Sequence, residues 1–154
     1  MTVKNRIKMA AMGIHYPELI NSDGSYTERG IQYFIERAKG GVGLITTGAM
    51  QVQNQFEADT HGTTISNAGQ AYIDGMKPLA EGVHKYGAKI ITQLTAGTGR
   101  QNPAWLASGA DPIASSDGLP NVWNPSVKHR ALTPDEIRTY YVEGFRKGAI
   151  VAKE

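Results

Sequence analysis

The chain has no cysteine among its 154 residues. That absence removes disulfides, thiolate metal sites, cysteine nucleophiles and iron–sulfur ligation from this chain in one step. Histidine is scarce as well: the 4 histidines stand at 15, 61, 84 and 129, and no two have metal-ligand spacing, so no metal site is expected. Charge of one sign is lacking. The 16 Lys and Arg against 14 Asp and Glu leave +2, scattered along the chain, which gives no reason to expect nucleic acid or a membrane surface as a partner. No apolar run approaches the roughly 20 residues that span a bilayer, and the basic N-terminus MTVKNRIKMAAMG lacks the apolar stretch of a signal peptide. A cytoplasmic location is the expectation. Finally, no G-x-G-x-x-G follows the first strand, and the glycines of TAGTGR follow the third strand with no immediate helix, so a dinucleotide-binding turn is not indicated.

What is present is an ordinary globular composition, 40% apolar and 19% charged, at a length that suits one domain. Short apolar runs alternate with longer helical patterns, the signature of βα units around a parallel sheet. The first strand is predicted over Arg6–Met12. A helix follows over Thr27–Lys39, with Ile31, Phe34, Ile35 and Ala38 at helical spacing, Ser25 or Thr27 as cap, and Gly40-Gly41 as a left-handed stop. The second strand is predicted over Val42–Thr47. The second helix is placed from Asp74 as N-cap to Gly87, because that start leaves Pro78 among the amides with no intrahelical partner to lose. Lys89–Leu94 is the third strand. A Gly/Ser/Pro-rich loop runs from there to about Leu132, and a third helix starts at Thr133-Pro134-Asp135-Glu136, a capping box with proline at the first helical position. Its apolar stripe is read as Ile137, Tyr140, Tyr141, Phe145 and Ala149. The chain then reaches Glu154 with no strand to receive the helix.

A right-handed βα series builds either a doubly wound sheet or an eightfold barrel, and the missing glycine fingerprint favours the barrel. In a barrel, function collects at the C-terminal ends of the strands. Met12–His15, Gly48–Gln51 and Gln93–Arg100 would then share one rim. Gln93 stands out there as an amide closing a core strand. By chemistry alone it can bond a neighbouring loop backbone, or it can offer a donor beside an acceptor to a ligand.

Four blocks, VKNRIKMAAMGIHY, ERAKGGVGLITTGAMQV, YGAKIITQLTAGTGRQ and NPSVKHRALTPDEI, resemble consecutive parts of the old yellow enzyme family of flavin-dependent reductases, and within it the 2-enoate reductase and bile-acid-type branch. The resemblance implies that residues 1–154 form the N-terminal segment, about three βα units, of a flavin-binding (β/α)8 barrel that stops before the fourth strand. It implies FMN as cofactor and NADH or NADPH as reductant. Iron–sulfur and FAD groups would belong only to further domains. The substrate would be a small alkene conjugated to a carbonyl or acyl group, with the catalytic residues expected beyond Glu154. Gln93 would then meet the pyrimidine edge of the flavin. Ala10, Ala11, Met12 and Gly13 would lie along the ring, Ala49 would pack against it, and His15 would reach over the substrate. The sequence departs from the family at Ala11, where many members have proline, and at Gly13, where classical members have threonine or cysteine. By the residues alone, Ala10, Ala11 and Ala49 read equally as small packing residues. Arg100 is read as a structural ion pair, Trp105 and Trp123 as loop anchors, Asp74 and Glu136 as helix caps, and His61, His84 and His129 as surface. Two other functions fit the sequence. One is a non-catalytic βα module that self-associates through open sheet edges. The other is a flavin-free barrel enzyme acting on a phosphorylated substrate, which leaves Gln93 without a role.

Overall fold

The computed structural model describes residues 1–14, 16–56, 64–97, 99 and 112–154. Three parallel strands, β1 (Lys8–Met12), β2 (Leu44–Gln51) and β3 (Lys89–Thr95), lie side by side in chain order. They are joined by two helices, α1 (Glu28–Lys39) and α2 (Gln70–Lys85). This is the order in which a barrel wall is built.

Helix α1 forms where the spacing predicts it. Thr27 caps it, its Oγ1 accepting from the Gly30 N–H at 3.4 Å, and Gly41 leaves it with φ 106°, a conformation that only glycine adopts without cost. Its buried face, Ile31, Phe34 and Ala38, covers Ile45 of β2 together with Leu79 and Val83 of α2. Phe34 is fully buried, stacked on Tyr26 with centroids 5.5 Å apart and edge-on to Tyr33 at 5.2 Å. Gly82 lets Ile35 lie against the α2 backbone. At the N-terminal end of the sheet the Lys4 ammonium donates to the carbonyls of Tyr86 (2.7 Å) and Ala38 (3.3 Å), so one cation closes the negative ends of both helices.

Three sequence expectations are corrected. Helix α2 starts at Gln70 behind Gly69, which has no side chain to announce a cap, and Pro78 lies inside the helix. Pro78 and Asp74 are both on the solvent side, so the Asp74 carbonyl that loses its donor faces water. Asp74 is therefore no cap. It accepts from Gln70 Nε2 (2.9 Å) and pairs with Lys77 (3.1 Å). Strand β2 runs on to Gln51, so Gly48–Gln51 is strand and not rim loop. The third correction is the long segment before the third helix, which carries β4 (Ile113–Ala114) and β5 (Arg130–Ala131), paired in parallel. Within it His129 is 2% exposed, its Nδ1–H donating to the Leu119 carbonyl at 2.6 Å, whereas Trp123 is 65% exposed and is not packed down. Both reverse the sequence reading. His84 is exposed as expected.

Helix α3 covers 134–153: an opening turn Pro134–Glu136, a wider π stretch Ile137–Val142 and a regular stretch Glu143–Lys153. The capping box is complete, with Thr133 Oγ1 accepting from Glu136 N–H (3.2 Å) and Glu136 accepting from Thr133 N–H (2.8 Å). Both carboxylate oxygens of Glu136 also take the Arg130 fork at 2.9 and 2.8 Å, and this pairing, with the Thr133 amide, holds its pKa down at about 2. A depressed carboxylate stabilises the fold above its unfolded value of about 4.3, and that contribution disappears as pH falls through the folded value. Glu136→Gln is therefore expected to lower the melting temperature at neutral pH. The gap to wild type should close between about pH 4 and about pH 2; a gap that persists unchanged to pH 2 would show that the charge is not what Arg130 recognises.

The packed face of α3 is not the predicted aromatic stripe. Ile137 (40%), Phe145 (39%) and Ala149 are exposed, while Gly144 and Gly148 are buried against Val52 and Ile65. Tyr140 and Tyr141 are half-buried and hold Phe56 between an edge contact (5.2 Å) and a stacked one (6.1 Å). No helix among the described residues is long and apolar enough to cross a membrane.

Candidate functional site

In β3, Ile90 and Leu94 pack on the core beneath the helices, and Ile91 and Gln93 alternate with them onto the opposite, open face of the sheet. Gln93 is exposed there, and its carboxamide has no hydrogen-bond partner among the described residues. The bland alternative, an amide satisfied by a neighbouring loop backbone, is thus not what the described residues contain.

The neighbours of Gln93 are set by two irregularities in the ladder. Between β1 and β2 the pairs run Met9↔Ile45 and then Met12↔Thr47, three steps against two. Between β2 and β3 they run Thr46↔Ile91 and then Ala49↔Gln93, again three against two. Each strand therefore carries one extra residue, at Ala10-Ala11 in β1 and at Thr47-Gly48 in β2. Such bulges re-aim side chains and cluster at barrel rims. Here the second one reverses the face on which Ala49 falls. Three residues past Thr46, in a regular strand it would turn toward the helices; the extra residue keeps it on the open face beside Gln93. Ala10, Ala11, Met12 and Gly13 are all exposed at the end of β1. The structure thus brings Ala10, Ala11, Met12, Gly13, Ala49 and Gln93 to the C-terminal ends of three adjacent strands. His15, Arg100, Trp105 and His61 lie outside the described residues.

This surface suits a flat heteroaromatic ligand. The alanines present no side chain long enough to hold a ring off the backbone, and the free carboxamide offers a donor and an acceptor along one edge. Two buried residues that the sequence reading passed over brace it. Gln53 Nε2 donates to the Ala96 carbonyl (3.0 Å) while its Oε1 accepts from the amides of Gln55 (2.9 Å) and Phe56 (3.2 Å). Gln51 Nε2 donates to the Gln53 carbonyl at 2.6 Å. The alternation of glutamines in MQVQNQ is the available signal, since buried polar side chains must find partners.

Residues 1–154, the whole chain, match the family model described as the NADH:flavin oxidoreductase / NADH oxidase family. The chain belongs to that family. Among relatives of this oxidoreductase family it is 38% identical over 158 residues to a cinnamate reductase of Clostridium sporogenes, covering 100% of this chain and 23% of that protein. It is 37% identical over 116 residues to an NADH oxidase of Thermoanaerobacter brockii, covering 75% of this chain and 17% of that one. Among solved structures, an old yellow enzyme homologue from Zymomonas mobilis aligns at 27% identity with a TM-score of 0.71, over 97% of this chain and 41% of that one. Morphinone reductase in complex with tetrahydroNAD aligns at 26% identity with a TM-score of 0.72, over 99% of this chain and 43% of that one. The three βα units are therefore part of an old-yellow-enzyme barrel. The chain spans under a quarter of the curated relatives just named and about two fifths of the solved barrels.

Proposed function

We propose that these strands hold FMN in an ene-reductase-type oxidoreductase, and the observation that carries the reading is the free Gln93 carboxamide paired in register with Ala49 on the open face. Gln93 would take the pyrimidine edge of the ring, Ala10, Ala11 and Ala49 would form its floor, and the backbone at Met12 and Gly13 would donate beside it. His15, three residues along the sequence from the end of β1, would stand over the substrate. When bound, FMN supplies the redox chemistry, taking a hydride from NADH or NADPH and passing it to an alkene conjugated to a carbonyl or acyl group. The part of this chain is to bind and orient: small residues allow close approach, and Gln93 fixes which way round the ring lies. The names of the relatives, cinnamate reductase and morphinone reductase, support a small conjugated substrate. No described residue stands as the group that polarises it.

The test is titration with FMN, followed by visible absorbance, of the chain and of a chimera that continues it with the residues following the matched region of the cinnamate reductase. Gln93→Ala is expected to weaken FMN binding by about ten- to a hundredfold, the cost of two lost hydrogen bonds. Gln70→Ala, on the surface of α2, should leave it unchanged. Equal affinity of Gln93→Ala and wild type would sink the assignment.

A second reading, the self-associating module, draws on the edges of the sheet: β1 and β3 each pair only with β2 among the described residues, and Met12 and Ile91 are exposed beside them. Gel filtration of the chain alone separates the two, since a flavin-free dimer would favour the module.

A further inference from the structure

We propose that Thr47 is the positioning residue that keeps Gln93 and Ala49 in the setting FMN requires, an inference that rests on the flavin reading above. Thr47 is the point where the two ladder irregularities meet. On one side it is the register partner of Met12, the last residue of β1; on the other its Oγ1 accepts the Gln93 backbone N–H at 3.3 Å. The same hydroxyl donates to the Gly48 carbonyl at 2.9 Å. A regular parallel ladder would give the Gln93 amide a β2 carbonyl. At the extra residue the β2 backbone bulges, and the threonine hydroxyl adds a side-chain acceptor at the Gln93 amide alongside the ladder. The side chain is 1% exposed. Its neighbour provides the contrast: Thr46 is also buried, but its hydroxyl has no partner among the described residues. Two adjacent threonines thus differ in that only Thr47 ties β2 to β3, at the residue that would meet the flavin. Thr47 touches no ligand in this scheme; it acts through the backbone of Gln93.

Valine replaces the hydroxyl with a methyl of the same shape, and serine keeps the hydroxyl while losing the methyl. Amide hydrogen exchange by NMR on the 154-residue chain is the first readout. With Thr47→Val the Gln93 amide should exchange about tenfold faster while Ile45 and Ile90 are unchanged, and Thr47→Ser should restore protection. The second readout is FMN titration of the chimera described above, where Thr47→Val should weaken binding by about tenfold and Thr47→Ser should bind nearly as wild type. Unchanged Gln93 exchange in Thr47→Val overturns the inference. Serine behaving like valine also overturns it, because a hydroxyl at this position would then not be enough to hold the Gln93 amide. If wild type takes no FMN, the flavin reading falls and the flavin role of Thr47 falls with it, while exchange at Gln93 still decides whether Thr47 holds the strand.

Discussion

Phe34→Ala is expected to lower the unfolding free energy by about 3–5 kcal/mol, the usual cost of emptying a large buried aromatic site. Phe34 has no exposed surface and sits where α1 meets the sheet and α2, with Tyr26 stacked on one side and Tyr33 edge-on to the other. Truncation therefore loses transfer energy, two ring contacts and packing, and the rings around the cavity cannot close it without moving α1. Against a typical domain stability of roughly 5–15 kcal/mol this is a large share. Urea unfolding gives the measurement, and Phe34→Leu, expected to cost roughly 1–2 kcal/mol, guards against outright failure to fold. If alanine costs under about 1 kcal/mol, the α1 face described here is not the one that packs.

Gly144→Ala should also destabilise, and the interest lies in the sign. In an open helix interior this change stabilises by about 1 kcal/mol, because glycine is the poorer helix former. At residue 144 the added Cβ would stand 2.5 Å from the Val52 carbonyl oxygen, a backbone atom that cannot swing away, and 3.3 Å from the Val52 carbonyl carbon. Forcing α3 off β2 costs about 1–3 kcal/mol, more than the propensity gain. The exposed Ala149→Gly, in the same helix, should lose about 1 kcal/mol from propensity alone. Opposite substitutions in one helix are thus both expected to lower the melting temperature; a stabilised Gly144→Ala would mean that α3 does not rest on Val52.

Helix α3 is also where the sequence misleads most usefully. Of the apolar stripe predicted over Ile137, Tyr140, Tyr141, Phe145 and Ala149, the first and the last two are exposed, and the packed face is built around Gly144 and Gly148, because close approach of two backbones needs the absence of side chains. Hydrophobic periodicity cannot register an absence. Helix α1 was legible to the residue because its cap, apolar spacing and glycine stop all agree. Helix α2 was not: its true cap is Gly69, and Pro78 argued for a later start than the solvent-facing side of the helix requires. The site was legible in its members and not in its arrangement. Gln93 drew notice as an amide in an apolar strand, and the small residues after β1 fitted the family pattern. That Ala49 stands opposite Gln93, and inside a strand, depends on an irregular ladder that local pattern conceals. The apparent end of β2 at Thr47 is that same irregularity, since the alternation breaks where the extra residue enters.

The extra residue in β2 also decides which kinds of sequence change this family member tolerates. Ile45 and Met50 both belong to the core, although an odd number of steps separates them, and Met50 Sδ accepts from the Tyr72 hydroxyl at 3.8 Å. Their common orientation is a property of the count of residues between them and of no single side chain. The same five steps in a regular strand would turn Met50 and Val52 outward and send Ala49 in beneath the helices, whereas deleting Gly48 would leave four steps and a regular ladder that keeps all of these faces. Between Thr46 and Ala49, then, the strand can shorten by one residue without turning inside out.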